Sequence, residues 1–252
     1  MVEKKKGFQI FAHFVMIFIA VCSVAPFILL VMSSITEEKS LIANGYSFFP
    51  KEFSLYAYQY LLTGSGALLR SYVISFIVTA VGTLSNLIIT ILYAYPLSRK
   101  ELPGRNFFAF FLFFTMLFSG GMIPGYLLIK NMHLIDNRWS LILPGLISAY
   151  NVIIMRSFFS TIPESLEESA RLDGANDVTI FAKIVLPLSK ASIATIALFT
   201  AVGYWNDYFS SVLYINTKSR WSLQAVLRYM LTNTNQAMQS AGVTVTATTN
   251  VT

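Results

Sequence analysis

Residues 72–97 read YVISFIVTAVGTLSNLIITILYAYPL, without a single charged side chain. At a helical rise of about 1.5 Å per residue this stretch is long enough to cross a hydrocarbon core of roughly 30 Å. Its apolar positions run on without the two-residue alternation of a membrane barrel strand, so a helix is the reading that satisfies every backbone group inside lipid. Residues 10–32, 107–129, 140–159 and 191–213 have the same character. The sequence therefore predicts an all-α polytopic membrane protein with five spans.

Composition supports this reading. Hydrophobic residues make up 55% of the 252 positions and charged residues 12%, where a soluble domain carries about 25% charge. The formal charge of +6 sits in short clusters between apolar runs, which argues against nucleic acid and for membrane flanks. Cys22 is the only cysteine and lies in an apolar run, so no disulfide framework is possible and it reads as a small hydrophobe.

The first apolar run follows Lys4, Lys5 and Lys6. It is too long for a secretory signal, contains Pro26 and lacks a small-residue cleavage site, and is expected to be a retained span. The lysine trio together with Arg99, Lys100 and Arg105 flanks the first three spans on one side, predicted to be cytoplasmic. Residues 33–71 and 131–139 then lie outside and the polar stretch 160–190 inside. After the fifth span, residues 216–252 are rich in Thr, Asn and Gln and hold no further span.

Within that inner stretch, residues 160–187 read STIPESLEESARLDGANDVTIFAKIVLP. Thr161 is placed to cap a helix whose first turn holds Pro163 and Glu164. Asp173-Gly174 ends it, since glycine accepts the left-handed closing conformation. Asn176 or Asp177 starts a second helix carrying Val178, Phe181, Ile184 and Val185, expected to stop at Pro187. Leu166 and Ala170 share one face of the first helix, while Glu164, Glu167, Glu168 and Arg171 put charge on the others. Two readings fit: an amphipathic hairpin on the inner membrane surface, or a docking face for a protein. The excess of acid over base on the first helix favours docking, because interfacial helices usually present Lys and Arg to anionic lipid.

The spacing of Glu168, Ser169, Ala170, Gly174, Ile184, Leu186 and Pro187 resembles the EAA motif of ABC importer permeases, with Ser169 standing where the pattern has its middle alanine. YAYPLSRKELPGR from Tyr93, SGGMIP from Ser119 and GYWNDYF from Gly203 are similar to permeases of the carbohydrate uptake family, the maltose-type second permease. The similarity is strongest to oligosaccharide or aldouronate permeases of Gram-positive bacteria. The resemblance implies a single type I importer transmembrane domain over residues 1–252, with a coupling loop at 160–190 that a separate ATPase grips. It places Glu168, Ser169, Ala170, Asp173, Gly174, Ile184, Leu186 and Pro187 at that contact. The implied partners are a homologous permease, two ATPase subunits, an extracytoplasmic solute-binding protein and a saccharide. ATP is bound by the partner, and the permease itself is not an enzyme. The family usually has six spans and ends in the cytoplasm, so a sixth span is expected to be missing here through incompleteness.

Other features carry weaker expectations. Tyr204, Trp205, Asn206 and Asp207 in the outer half of the fifth span, and Ser85 and Asn86 in the second, are candidate pathway residues, since polar groups in a membrane helix are costly. The same residues could instead sit at a headgroup boundary or join packed helices. Gly120, Gly121 and Pro124 are expected to break the third span. No phosphate loop occurs, Gly64-Ser65-Gly66 being too short to replace one, and His13 and His133 lack partners at metal spacing. An ion-gradient transporter with Asp207 as its cation site is the rival mechanism.

Overall fold

Residues 6–63 and 66–240 are described by the structure, a computed structural model. Lys4, Lys5, Gly64, Ser65 and the tail from residue 241 lie outside the described residues. The chain is all-helical, as expected; the β pairing among the described residues is one isolated antiparallel bridge, Thr36 to Phe53. It divides into two compact units, residues 1–67 and 68–252.

The first unit is built on α1 (Lys6–Ser34), which contains Pro26. None of the most apolar window of this helix is buried, so its surround must be lipid or another chain. Beyond it the chain folds back. Glu37 N–H donates to Glu52 O at 3.1 Å and Ser54 N–H to Ile35 O at 2.9 Å, bracketing α2 (Glu38–Asn44). α3 (Tyr56–Thr63) returns to the end of α1, where the Tyr58 and Ser34 hydroxyls meet at 2.7 Å.

The second unit takes in α4 (Ala67–Ser98) from its second residue onward, and the buried face of this helix includes Ser71, Ile74, Ser75, Val78, Gly82, Asn86, Thr90, Ala94 and Leu97. Small and polar residues at helical spacing let neighbouring backbones come close, which is how helices associate where lipid offers no hydrophobic contrast. α5 (Arg105–Leu117) and α6 (Met122–Asn131) are bent by 113° across the Phe118 to Gly121 break, with Gly121 at φ 85°. The expected interruption of the third span is thus present. Pro124 lies in the first turn of α6, where its missing N–H costs nothing.

α7 (Trp139–Ile142) runs into a 3-10 turn (Leu143–Gly145) and then α8 (Ala149–Phe159), with a 50° bend that the sequence reading did not anticipate. Ser148 caps α8 by accepting from Asn151 N–H at 3.3 Å. α9 (Glu164–Leu172) follows, then α10 (Asp177–Ile180), a π-helical turn (Phe181–Val185) and α11 (Leu186–Leu188). A 76° bend leads into α12 (Lys190–Asn206). α13 (Phe209–Tyr214) and α14 (Leu223–Ser240) complete the unit. Among the described residues, two helices are long and apolar enough to cross a membrane, and up to five spans result if each bent pair counts as one.

Four expectations need correction. The fifth span does not continue to residue 213: α12 ends at Asn206, and Asp207 leaves the helix at ψ 99° to begin α13. Thr161 does not cap α9; its hydroxyl donates to Phe158 O at 2.7 Å, and Pro163 holds the N-cap position. The second hairpin helix passes through Pro187 to Leu188, because the preceding π turn has already loosened the ladder that proline would break. Glu167 is buried, not on a charged outer face.

Candidate functional site

The hairpin from α9 to α11 is fixed by backbone geometry. Ala175 N–H donates to Ala170 O at 2.9 Å and Gly174 N–H to Arg171 O at 3.0 Å, the paired bonds of a Schellman closure, with Gly174 at φ +84°. Asn176 then starts α10 by accepting from Thr179 N–H at 2.8 Å. The expected motif residues divide into two sets. Ala170 and Ile184 pack against the cluster of Ala94, Leu97, Phe159, Ile180 and Val185. Glu168, Ser169, Asp173, Gly174 and Pro187 are exposed, and Leu186 is half-buried.

Two apolar residues bracket the exposed turn: Leu172 is 89% and Val178 73% exposed. Large aliphatic side chains so bare, beside a rigid turn and a rim of carboxylates, have the composition of an interface. The sequence names Val178 among the apolar residues of the second helix without assigning it a face, and nothing in it singles out Leu172.

Behind this face lies a cleft of about 180 Å³ lined by Arg99, Lys100, Glu101, Glu164, Glu167, Glu168 and Arg171. Arg99 meets Glu167 at 2.6 Å with 18% and 8% of their side chains exposed. Lys100 pairs with Glu164 at 2.9 Å, and Arg171 reaches Asp177 at 3.0 Å and Glu101 at 3.8 Å. The Lys100 contact holds the Glu164 carboxyl below its ordinary value, whereas burial pushes that of Glu167 up in spite of Arg99. The basic cluster at 99–105, read in the sequence as an orientation signal, thus also anchors α9 to the end of α4.

A second polar centre lies between α4, α7, α8 and α12. A cavity of about 390 Å³ is lined by Asn86, Ser148, Asn151, Thr200, Tyr204 and Asp207, among others. Asn86 donates to Gly145 O at 2.8 Å and Leu146 O at 3.1 Å, the carbonyls freed at the α7–α8 bend. Its Oδ1 accepts from Thr90 and Thr200, each at 3.3 Å, and Asn151 donates to Thr200 at 3.2 Å. Tyr204 OH donates to Ile142 O at 3.0 Å.

Three of the six candidate pathway residues therefore share one cavity: Asn86, Tyr204 and Asp207. Ser85 is half-buried away from it, Asn206 is exposed, and Trp205 stacks edge-on against Tyr72 at 5.6 Å. Asp207 accepts from Ser210 N–H at 3.0 Å, so it caps α13. Asn151 and Thr200 were missed because an isolated polar residue in an apolar run gives no sign of which face it takes.

The family described as binding-protein-dependent transport system inner membrane component matches residues 4–252. The polygalacturonan/rhamnogalacturonan transport system permease protein YtcP of Bacillus subtilis is 45% identical over 218 residues, 86% of this chain and 76% of that one. Protein LplC of the same organism is 45% identical over 225 residues, covering 87% and 76%. A chain from the crystal structure of a bacterial ABC transporter involved in the import of the acidic polysaccharide alginate superposes with a TM-score of 0.84 at 32% identity, covering 95% of this chain and 88% of that one.

Proposed function

Since the chain belongs to the binding-protein-dependent transport system inner membrane components, we propose that it is the permease subunit through which a saccharide crosses the cytoplasmic membrane. The cargoes of its relatives, polygalacturonan/rhamnogalacturonan and alginate, support a saccharide cargo. ATP hydrolysis belongs to a separate ATPase docked on the α9–α11 hairpin, which faces the cytoplasm together with the N-terminus. A homologous permease would complete the channel, and an extracytoplasmic binding protein would deliver cargo.

The observation that carries the coupling assignment is the hairpin tip: Leu172 and Val178 bare on either side of Gly174, with Glu168 exposed beside them. A membrane-surface role would have called for basic residues there, and the acidic rim suits a basic protein groove instead. The central cavity is the proposed stretch of pathway, where hydroxyl and amide groups offer the hydrogen bonding that a sugar loses with its water.

The test is copurification. Leu172→Asp and Glu168→Lys are expected to release the ATPase from the purified complex and to abolish substrate-stimulated hydrolysis. Full retention of both by the two variants would refute the docking assignment.

A further inference from the structure

The Arg99–Glu167 pair sits where the docking hairpin meets the longest helix of the second unit. We infer that this pair is the strut carrying displacement of α9 into α4, which makes Arg99 and Glu167 positioning residues of the transport cycle. The inference rests on the docking assignment and adds the route by which movement leaves the hairpin.

The geometry singles the pair out. Lys100–Glu164 and the Arg171 contacts lie largely in solvent, with side chains 48–83% exposed, and exposed pairs contribute little. Arg99 and Glu167 are enclosed instead. Arg99 Nε and Nη2 and Glu167 Oε1 have no aligned hydrogen-bond partner, so closeness and charge hold the pair. A buried pair is seldom a net gain in stability, because desolvation offsets the attraction, and removing one partner leaves a stranded charge. Such an arrangement fixes position more than it stabilises.

Around it, aromatic contacts lock the same two elements. The Arg99 guanidinium lies over the Tyr95 ring at 4.8 Å, and that ring meets Phe181 of the hairpin at 4.7 Å and Phe159 of α8 at 6.1 Å. Arg105 Nε donates to Leu97 O at 3.0 Å, closing the end of α4. Hence a push on α9 meets the end of α4 where Pro96 interrupts the helical ladder and these contacts brace it. Along α4, from Arg99 back to Asn86, the rise is about 20 Å. Asn86 there holds both carbonyls of the α7–α8 bend and lines the cavity. The strut, the helix and the bend form one contiguous chain of packed groups from hairpin to cavity.

The experiment uses the full complex in proteoliposomes, with Arg99→Met, Glu167→Gln, the double variant and the exchange Arg99→Glu/Glu167→Arg. Both single variants are expected to retain the ATPase while saccharide moved per ATP hydrolysed falls at least about fivefold. The double variant should be no worse than either single one, because both remove the same contact. The exchange should restore most of the ratio; should it not assemble, Arg99→Lys supplies the recovery, keeping the charge on a shorter reach. A normal ratio in Arg99→Met with the ATPase bound would overturn the strut and leave docking intact. Additive losses, or loss of the ATPase from both single variants, would overturn it too, whereas retention of the ATPase by Leu172→Asp strikes at the docking assignment itself.

Discussion

Glu164 and Glu167 stand one turn apart on α9, and their surroundings drive their acidities in opposite directions. Lys100 favours the ionised form of Glu164, so the folded state binds fewer protons there than the unfolded chain. That contribution is present above the ordinary carboxylate value of 4.5 and is lost as pH falls through the lowered one. For Glu167 burial comes first and outweighs Arg99, so its contribution is largest in acid and falls as pH rises from 4.5 through the raised value. Thermal unfolding of the complex against pH should show the wild-type advantage over Glu164→Gln growing with pH and that over Glu167→Gln shrinking. Parallel profiles would contradict the difference in burial. Tyr204 gives a second prediction at this scale. A Cβ added at Gly82 would lie 2.7 Å from Tyr204 Cζ, and one at Gly145 would lie 2.8 Å from its hydroxyl. The ring is cradled between two glycines, so Gly82→Ala must displace it from its bond to Ile142. A loss of roughly 1–3 kcal/mol is expected, as for other overpacked sites, measured by denaturation of the purified complex. Recovery in Gly82→Ala/Tyr204→Leu would identify the ring as the cause.

At the level of elements, α1 and α4 were legible because unbroken apolar length is itself the signal. The α5–α6 break was legible too, since paired glycines in an apolar run point to irregular backbone. The α7–α8 bend was not. Its freed carbonyls are satisfied by Asn86, far away in sequence, and no local pattern announces a distant donor. Likewise Asp207 looked like an intramembrane carboxylate because its partner, Ser210 N–H, belongs to a helix start that the apolar run conceals. The hairpin was readable through its glycine and Asn176, whereas the burial of Glu167 depended on Arg99 arriving from another helix. A comparable long-range device joins the α6–α7 turn to the segment after α13. Asp136 accepts from Thr217 N–H at 3.0 Å and Thr217 OH at 2.8 Å, and Arg220 reaches its carboxylate at 3.1 Å. Asp136 holds φ 60°, a conformation that asparagine also tolerates. Asp136→Asn therefore removes the charge without adding strain. It should speed amide exchange across residues 214–222 while leaving α9 unchanged, and equal protection in both proteins would show the clip to be idle.

Across the described residues of the second unit, chemistry is sorted by place in the fold. Carboxylates and basic groups gather at the hairpin end of the second unit and around Asp136 at the other, with hydroxyls and amides between them in the cavity. A transporter driven by an ion gradient needs a titrating or ion-binding group in that middle layer which changes partners during the cycle. Asp207 is the carboxylate among the cavity-lining residues, and one of its oxygens is committed to the start of α13. Releasing it would uncap that helix, so it is poorly suited to load and unload a cation. The exposed apolar tip of the hairpin, by contrast, has no use in such a cycle and suits the proposed docking of a separate ATPase. Uptake by the reconstituted complex is therefore expected to follow ATP inside the vesicle and to persist when an ionophore collapses the ion gradients. Uptake that stopped with the ionophore while ATP stayed constant would assign the energy source to Asp207 and leave Leu172 and Val178 without a role.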